Sequence, residues 1–494
     1  MNRGKTPLLS KSRFLAGLQC HKRLYFECFR RDLADPVGEA QQAIFDMGTR
    51  VGQLARDLYP GGALIDCDHF HHNEAVASTR AMLPDSSVPA IFEAGFRYDD
   101  VRVRIDILAR ADDGKFDLLE VKSGTSTKKE HRPDVGVQLY VLEGCGVPVG
   151  RAAVAHLNRE YVYPGGDYDL DELFSVDDIT DELREKQADI PSDLEAMRIA
   201  LQCPEPPDLK AGKHCSKPFT CPFYGHCHVG EPEHHVSRLP RASQKLLQLL
   251  EDAGIEDIRH IAADFEGLND IQRRVRDCVV SDLPFVDAAL AKALDQLEYP
   301  VHFLDFETFN PALPVHVGTR PYQIIPFQWS DHILDQDGNL SHEEFLHDGF
   351  DDPREPFARS LLKALGASGP IIVYSSFEEI RIRELADTLP GLSGDLLALL
   401  DGRIVDLLPL IRDNCYHPEF HGSFSIKSVL PALVPELGYG DLEIREGVVA
   451  SAAYAEIVQS ATAPERREAL RTGLLAYCKR DTEAMVRLFE TLRT

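Results

Sequence analysis

The sequence predicts an α/β protein in two parts joined by a helical connector, and three patterns lead to this prediction. Residues 101–110 alternate between apolar and polar side chains as a half-buried strand does, and an apolar strand follows near 116–123. Residues 236–298 repeat apolar side chains at helical spacing. From Tyr299 onward, strand and helix patterns alternate, which favours a sheet covered by helices. The expected parts are an N-terminal domain (1–235), a helical connector (236–298) and a C-terminal domain (299–494).

Other elements follow from the same patterns. In the N-terminal part we expect a helix near 134–144 and an irregular, proline- and lysine-rich segment over 203–220. In the C-terminal part, the expected strands lie near 301–307, 324–332 and 370–375, and the expected helices near 354–366, 377–387 and 464–491.

Composition limits the possible functions. The chain has 494 residues, 44% of them hydrophobic, so it can bury full cores. Its net charge of −27 excludes a uniformly basic protein, although a local cationic surface can still bind nucleic acid. No apolar run reaches the ~20 residues that a membrane-spanning helix needs. The N-terminus also lacks the apolar centre of a secretory signal. We therefore expect a cytoplasmic protein without a membrane partner.

The N-terminal segment is the most basic part of the chain. Residues 1–31 contain one acidic side chain, Glu27, and eight basic ones: Arg3, Lys5, Lys11, Arg13, Lys22, Arg23, Arg30 and Arg31. Such a segment indicates either a nucleic-acid contact or a solvated helix face. The candidates for contacts to a nucleic-acid backbone are Lys11, Arg13, Lys22, Arg23, Lys128 and Lys129, together with His131 and Arg132.

The two N-terminal strands carry a possible metal site. Asp106 lies on the polar face of the first strand, and Glu120 and Lys122 are two apart on the second, so the three side chains converge if the strands pair. Two carboxylates can hold a hard divalent cation, and a lysine can orient or deprotonate a water beside it. The alternative is a solvent-facing salt-bridge cluster on a hairpin.

The segment from Arg102 to Leu142 resembles the PD-(D/E)xK nucleases of the RecB type, particularly their CRISPR-associated branch. The resemblance implies a restriction-endonuclease-like fold in which Glu93, Asp106 and Glu120 bind metal while Lys122 and Gln138 serve catalysis. Those nucleases often also carry an early metal-binding histidine. The helix DMGTRVGQLAR has Gly52 near the corresponding place.

The eleven cysteines, without a secretory signal, indicate reduced thiols or metal ligands. The RecB-like branch often binds an iron–sulfur cluster through one early cysteine and three that follow the nuclease core. By this resemblance, Cys20, Cys215, Cys221 and Cys227 would hold a [4Fe–4S] cluster. Four thiolates also suit tetrahedral zinc, and free buried thiols are a third interpretation.

The C-terminal part contains a second acidic group. Asp305 and Glu307 share one face of a predicted strand, Tyr477 and Asp481 share one face of a predicted helix, and Glu378 begins the helix that follows a middle strand. These residues resemble the three motifs of the DEDDy 3′–5′ exonucleases, which have an RNase H-like fold. The resemblance implies that Asp305, Glu307, Glu378 and Asp481 hold two Mg²⁺ or Mn²⁺ ions, and that Tyr477 positions the attacking water. Chance matches, or a fold whose chemistry has decayed, are the alternatives.

The segments PYQIIPFQWSDH, GSFSIKSVLP and AYCKRDTEAM look like a bacterial domain family of unknown function that is found fused to RecB-like nucleases. Together the patterns favour a metal-dependent nuclease that hydrolyses DNA, with single strands or DNA ends as the expected substrate and RNA still possible. The alternative function is a non-catalytic nucleic-acid-binding or assembly module that keeps the nuclease folds.

Overall fold

The structure is a computed structural model that describes residues 7–68 and 70–493. Two of the basic residues named above, Arg3 and Lys5, lie outside the described residues. The protein is of the mixed α/β class and divides into two compact units. Unit 1 extends to residue 229 and also includes 311–323, and unit 2 contains 230–310 and 324 onward.

Unit 1 is built on a seven-stranded mixed sheet. Six strands lie in the order β2-β3-β4-β5-β6-β7, and β1 pairs with β4 beside this path. The strands are β1 (Leu9–Ser10), β2 (Ala63–Leu64), β3 (Ala90–Tyr98), β4 (Val101–Arg110), β5 (Phe116–Lys122), β6 (Val149–Leu157) and β7 (Phe174–Asp178). The helices are α1 (Lys11–Gln19), α2 (His21–Phe29), α3 (Glu39–Ala55), α4 (His72–Met82), α5 (His131–Gly144), α6 (Leu170–Leu173), α7 (Thr180–Lys186), α8 (Ile190–Gln202) and α9 (Tyr224–Cys227).

The alternation of β4 is the clearest link between sequence and structure in unit 1. Val101, Val103 and Ile105 are buried, whereas Arg102 and Arg104 are half-buried. Strands β3 and β6 have no such alternation because most of their residues are buried on both faces of the sheet. That is why the sequence predicts β4 and β5 but neither β3 nor β6.

Unit 2 is built on a five-stranded sheet in the order β11-β10-β9-β12-β13. Strands β9, β10 and β11 are antiparallel, whereas β12 and β13 run parallel to β9. A separate two-stranded sheet pairs β8 with β14. The strands are β8 (Phe285–Val286), β9 (Val301–Phe309), β10 (Ile325–Leu334), β11 (Leu340–Leu346), β12 (Ile371–Val373), β13 (Ile404–Asp406) and β14 (Cys415–Tyr416).

The helices of unit 2 lie before, between and after these strands. They are α10 (Gln244–Asp252), α11 (Asp270–Ser281), α12 (Ala288–Asp295), α13 (Arg354–Leu365), α14 (Phe377–Thr388), α15 (Ser393–Leu400), α16 (Leu407–Asn414), α17 (Ile426–Leu433), α18 (Gly447–Ile457) and α19 (Pro464–Leu492). The segment 236–298 contains the first three, and its buried side chains join those of β9 and α19 in one core. Proline at the first position of α19 fixes the start of this 29-residue helix.

No helix within the described ranges combines the length and the apolar character that crossing a bilayer requires.

Candidate active sites

The first acidic group lies where β4 and β5 meet. Ile107 pairs with Leu119 in the antiparallel ladder, so Asp106 and Glu120 occupy the next opposed positions. Asp106 Oδ2 accepts a hydrogen bond from the backbone N–H of Val121 at 2.8 Å. The strand pairing therefore brings Asp106 and Glu120 together.

Two lysines bridge the carboxylates beside this pair. Lys122 Nζ lies 2.8 Å from Glu120 Oε1 and 2.6 Å from Asp134 Oδ2. Lys11 Nζ, from the first turn of α1, donates to both oxygens of Glu120 at 2.8 and 3.0 Å and lies 3.4 Å from Asp134 Oδ1. Gln138 Nε2 donates to Glu120 Oε2 at 2.7 Å. We call Asp106, Glu120, Asp134, Lys11, Lys122 and Gln138 the lysine-bridged site.

Charges within the lysine-bridged site largely balance one another. Burial alone would raise the pKa of Glu120, but Lys11 and Lys122 outweigh it and hold that pKa below its usual range. Burial would lower the pKa of either lysine, yet the Glu120 and Asp134 carboxylates raise both. Burial and the charge of Glu120 raise the pKa of Asp106 to about 7. Three carboxyl groups therefore share two ammonium groups.

Glu93 lies close enough for its charge to contribute to the raised pKa of Asp106. Its backbone is left-handed, with φ of 56°, an uncommon conformation for a residue with a side chain. Arg56 Nη2 approaches Glu93 Oε1 to 3.3 Å from the end of α3, one turn after Gly52. A guanidinium from the residue that follows α3 thus contacts Glu93.

Sequence patterns did not single out Asp134, or place Lys11 inside this site. Asp134 and Gln138 are four apart on α5, within the mostly apolar stretch 134–142, so this polar pair could have indicated the site. The contact between Lys11 and Glu120 joins residues 109 apart in the chain, which no local pattern indicates.

The six predicted nucleic-acid contacts have different surroundings. Lys11 is bonded inside the lysine-bridged site, whereas Lys128 and Lys129 are exposed before α5. The remaining three donate to neighbouring groups: Arg13 Nη1 to Leu8 O at 2.9 Å, Lys22 Nζ to Leu209 O at 3.2 Å, and Arg23 Nε to Glu27 Oε1 at 2.9 Å. Beyond these six, His131 Nδ1 accepts from the Lys128 backbone N–H, and Arg132 forms an ion pair with Glu182.

Four cysteines line one small cavity of unit 1. They are Cys20, Cys215, Cys221 and Cys227, and the cavity wall also includes the basic residues Lys22, Arg23 and Lys210. Burial raises the pKa of Cys221 and that of Cys227. We call this group the cysteine cavity.

Hydrogen bonds fix the loop that carries three of these cysteines. The Gly212 N–H donates to Cys215 Sγ at 3.4 Å, and the Cys221 N–H donates to the Cys215 carbonyl at 2.7 Å. Gln19 Nε2, at the end of α1, donates to the carbonyls of His214 and Phe219 at 2.6 and 2.8 Å. The loop is therefore tied to the residue that directly precedes Cys20.

In unit 2, the second acidic group is built around the central strand. Asp305 and Glu307 are two apart on β9, so their side chains share one face. Glu378 lies in the first turn of α14, and α19 contributes Tyr477 and Asp481. We call Asp305, Glu307, Glu378 and Asp481 the carboxylate site.

Burial raises the pKa values of all four acids, and the charges of neighbouring carboxylates add to this effect for Asp305, Glu307 and Glu378. Burial and the charge of Asp481 raise the pKa of Asp305 and that of Glu307 well above their usual range. Burial raises the pKa of Glu378 to about 8 and that of Asp481 to about 6. Four carboxylates this close cannot all ionise readily without an added cation.

Lys427 and Tyr439 are neighbours of the carboxylate site that the sequence did not single out. Lys427 Nζ donates to Tyr477 Oη at 3.0 Å, and its charge lowers the pKa of Glu307 and Asp481 against the larger effect of burial. Tyr439 Oη donates to Asp481 Oδ1 at 2.5 Å. Lys427 belongs to the quoted segment GSFSIKSVLP, but no pattern marks Tyr439.

The carboxylate site also contains a thiol and an unsatisfied acceptor. Cys478 Sγ donates weakly to Asp305 Oδ2 at 3.5 Å. One potential ligand atom from each of Asp305, Glu307 and Cys478 lies within 4.8 Å of the other two. Glu378 Oε2 is buried and has no hydrogen-bond partner within the described part of the chain. These groups could hold a cation.

Comparison with known proteins gives one family match. Residues 302–425 match a family described as a domain of unknown function (DUF2779). This range includes Asp305, Glu307 and Glu378, and it ends before Tyr477 and Asp481. No curated protein matches the chain.

Proposed function

We propose that the protein is a metal-dependent nuclease, an enzyme that hydrolyses the phosphodiester bonds of DNA. The carboxylate site is the observation that carries this proposal. Glu307, Glu378 and Asp481 are at most 7% exposed, and the charges of Glu378 and Asp481 act on both Asp305 and Glu307. Burying four like charges is costly unless cations neutralise them. Divalent cations are therefore the natural ligands of this site.

Carboxylate oxygens from Asp305, Glu307, Glu378 and Asp481 would hold two Mg²⁺ or Mn²⁺ ions. Such a pair of cations stabilises the attacking and leaving oxygens of a phosphodiester. Burial and the charge of Asp481 raise the pKa of Tyr477, so its hydroxyl stays protonated and can donate a hydrogen bond to the attacking water. Lys427 Nζ, which donates to that hydroxyl, fixes its position.

The mixed sheet of unit 2, with its acidic central strand, supports the RNase H-like exonuclease fold that the DEDDy motifs imply. In unit 1, the contact of Asp106 with the Val121 N–H, and of Lys122 with Glu120, supports a PD-(D/E)xK arrangement. In that arrangement Glu93, Asp106 and Glu120 would bind a cation, Lys122 would orient the water, and Gln138 would hold Glu120 in place.

The residues of the cysteine cavity fit a [4Fe–4S] cluster. Four cysteine side chains line this cavity, Lys22 and Arg23 can offset the negative charge of their thiolates in a bound cluster, and the Gly212 N–H already donates to a cysteine sulfur. Tetrahedral zinc needs its four sulfurs about 3.8 Å apart, given Zn–S bonds of about 2.3 Å. No three of these four sulfurs, all of them in described residues, lie within 4.8 Å of one another. Zinc is nevertheless the alternative ligand of the same four cysteines.

A second candidate function is a nucleic-acid-binding or assembly module whose unit 1 does not cleave. The position of Lys11 favours it, because an ammonium bonded to both oxygens of Glu120 competes with any metal for that ligand. The contact of Arg56 with Glu93 has the same effect on a second acid.

Hydrolysis of labelled single-stranded DNA with Mg²⁺ or Mn²⁺ tests the proposal. We expect activity that EDTA abolishes and that Asp305→Asn reduces by about a thousandfold, since Asp305 would help to hold the cations, and these would supply several kcal/mol of charge stabilisation in the transition state. Lys122→Met tests separately whether unit 1 contributes to the hydrolysis. Asp337→Asn, in the turn between β10 and β11, is the matched control and should retain full activity. If neither Asp305→Asn nor Lys122→Met reduces the rate, the assignment of both sites is wrong.

A further inference from the structure

Four arginines meet at one end of the β3–β4 ladder in unit 1. Arg97 and Arg102 are directly opposed in the antiparallel register, and Arg104 faces Gly95. Directly opposed side chains lie on the same face of a sheet, and like charges in this arrangement are destabilising. The charge of Arg13, from α1, also acts on Arg102. We call Arg13, Arg97, Arg102 and Arg104 the arginine cluster.

Few acceptors within the protein satisfy the arginine cluster. Arg97 pairs with the exposed Asp100 at 2.7 Å, and Arg104 Nη2 donates to the Cys67 carbonyl at 2.5 Å. In contrast, Arg102 Nε and Arg104 Nη1 are buried and have no hydrogen-bond partner among residues 7–68 and 70–493. Burial, followed by the charges of Arg13 and Arg97, lowers the pKa of Arg102.

This arrangement is unusual for a chain with 80 acidic and 53 basic side chains, where carboxylate partners are plentiful. A buried donor without an acceptor costs about 1–3 kcal/mol, and more if it is charged. His72, on α4, faces the same arginines, and its pKa is lowered by burial and then by their charges. An anion bound among these side chains would satisfy the free donors and relieve the repulsion.

The location of the arginine cluster indicates which anion to expect. Arg104 and Arg102 precede Asp106 by two and four residues on the same strand. At about 3.3 Å per residue, they lie roughly 7 and 13 Å from it along β4. If the scissile bond of a nucleic-acid strand lay at Asp106, the neighbouring phosphates of that nucleic acid would lie at distances of this order from Asp106.

We propose that the arginine cluster binds a backbone phosphate of the nucleic-acid strand that enters unit 1. The choice of a nucleic acid as ligand rests on the proposed function, whereas the preference for a phosphate group rests on the cluster alone. The free guanidinium donors of Arg102 and Arg104 bind the phosphate oxygens, and Arg13 and Arg97 supply further positive charge.

Binding measured in EDTA tests this inference without requiring catalysis. The double variant Arg102→Gln/Arg104→Gln is compared with Arg151→Gln, whose guanidinium is paired with Asp117 at 2.9 Å elsewhere in the same sheet. The probes are inorganic phosphate, followed by thermal unfolding, and a labelled single-stranded oligonucleotide, followed by anisotropy over a range of salt concentrations.

We expect phosphate to raise the Tm of the natural protein and of Arg151→Gln, but not that of the double variant. Oligonucleotide affinity should fall at least tenfold in the double variant. The negative slope of the logarithm of the binding constant against the logarithm of the salt concentration should become shallower by about 0.7 for each phosphate that the variant no longer binds. Without phosphate, the double variant should melt no lower than the natural protein, because it relieves repulsion. A merely structural role would instead lower its Tm.

Unchanged affinity and salt slope in the double variant would overturn the inference, as would failure of the natural protein to bind either probe. Loss of the proposed nuclease activity is a separate result. A protein that binds phosphate through these arginines but shows no metal-dependent hydrolysis would contradict the proposed function and leave the inference standing.

Discussion

The lysine-bridged site and the carboxylate site both gather acidic side chains, yet they balance their charge in opposite ways. In unit 1, Lys11 and Lys122 hold the pKa of Glu120 low against burial, whereas burial and the charge of Glu120 raise the pKa of Asp106 and that of Asp134. In unit 2, where no lysine among the described residues is bonded to the acids, burial raises the pKa of Glu378 to about 8 and that of Asp481 to about 6. Acidic residues alone therefore do not define a metal site. What matters is how much of their charge the protein itself neutralises.

Removing a lysine should have the largest effect on stability. Lys122→Met leaves the Glu120 and Asp134 carboxylates short of one buried partner, which should destabilise unit 1 by about 3 kcal/mol. Hydrogen exchange of unit 1 peptides would measure this change. The exposed Lys128→Met is the control and should alter stability by less than about 0.5 kcal/mol. Equal effects of the two variants on stability would show that Lys122 does not stabilise unit 1 by neutralising the Glu120 and Asp134 carboxylates.

Divalent cations should stabilise unit 2 in particular. At a hundred times its Kd, Mg²⁺ or Mn²⁺ should add about 2.7 kcal/mol to the folded state. Hydrogen exchange with and without the metal would locate the protection, which we expect around β9, α14 and α19. Asp305→Asn should remove this response while retaining the fold. Protection confined to unit 1 would show instead that the cation binds to unit 1 and not to the carboxylate site.

Acidification should stabilise metal-free unit 2. Because the folded-state pKa of Glu378 is raised, its ionisation opposes folding at pH 8, and this penalty decreases as the pH falls toward the unfolded value near 4.3. Unit 2 should gain about 2 kcal/mol between pH 8 and pH 6, from about 1.4 kcal/mol per pH unit. Unit 1 should gain less, from Asp106. Unfolding in EDTA across this range checks the prediction, with Glu378→Gln as a variant that lacks the contribution of Glu378 to the gain.

The smallest expected effect concerns metal affinity in unit 1. Lys11→Met removes the ammonium that shares Glu120, so Mn²⁺ should bind there about tenfold more tightly, a difference of about 1.4 kcal/mol. Lys11→Arg keeps the charge and should bind Mn²⁺ as the natural protein does. Electron paramagnetic resonance of bound Mn²⁺, in a protein whose carboxylate site is blocked by Asp305→Asn, isolates this site. Equal affinity in both variants would show that Lys11 does not compete with metal.

Much of the fold follows from local patterns in the sequence. The alternation of VRVRIDILAR predicts β4 with its observed bounds, and the helix expected at 464–491 corresponds to α19. By contrast, β3 and β6 are mostly buried on both faces, so their sequences lack the alternation of apolar and polar residues that would predict a strand. The spacing of the motifs predicted Asp305, Glu307 and Asp481 as site residues, because residues two apart on a strand or four apart on a helix share a face. Tyr439 and Lys11 reach their sites through long-range packing, for which sequence spacing offers no signal.

Residues 311–323 leave unit 2 after β9 and belong to unit 1, where the Tyr163 N–H donates to Thr319 O at 2.9 Å and Tyr168 Oη donates to Pro314 O at 3.0 Å. The polypeptide thus crosses between the units at three points in its sequence. A fragment that stops at residue 229 would lack these partners and expose the side chains that Ala312 and Tyr322 cover. Neither unit can be separated from the other by one cut, so dissecting the two acidic groups calls for point substitutions in the whole chain.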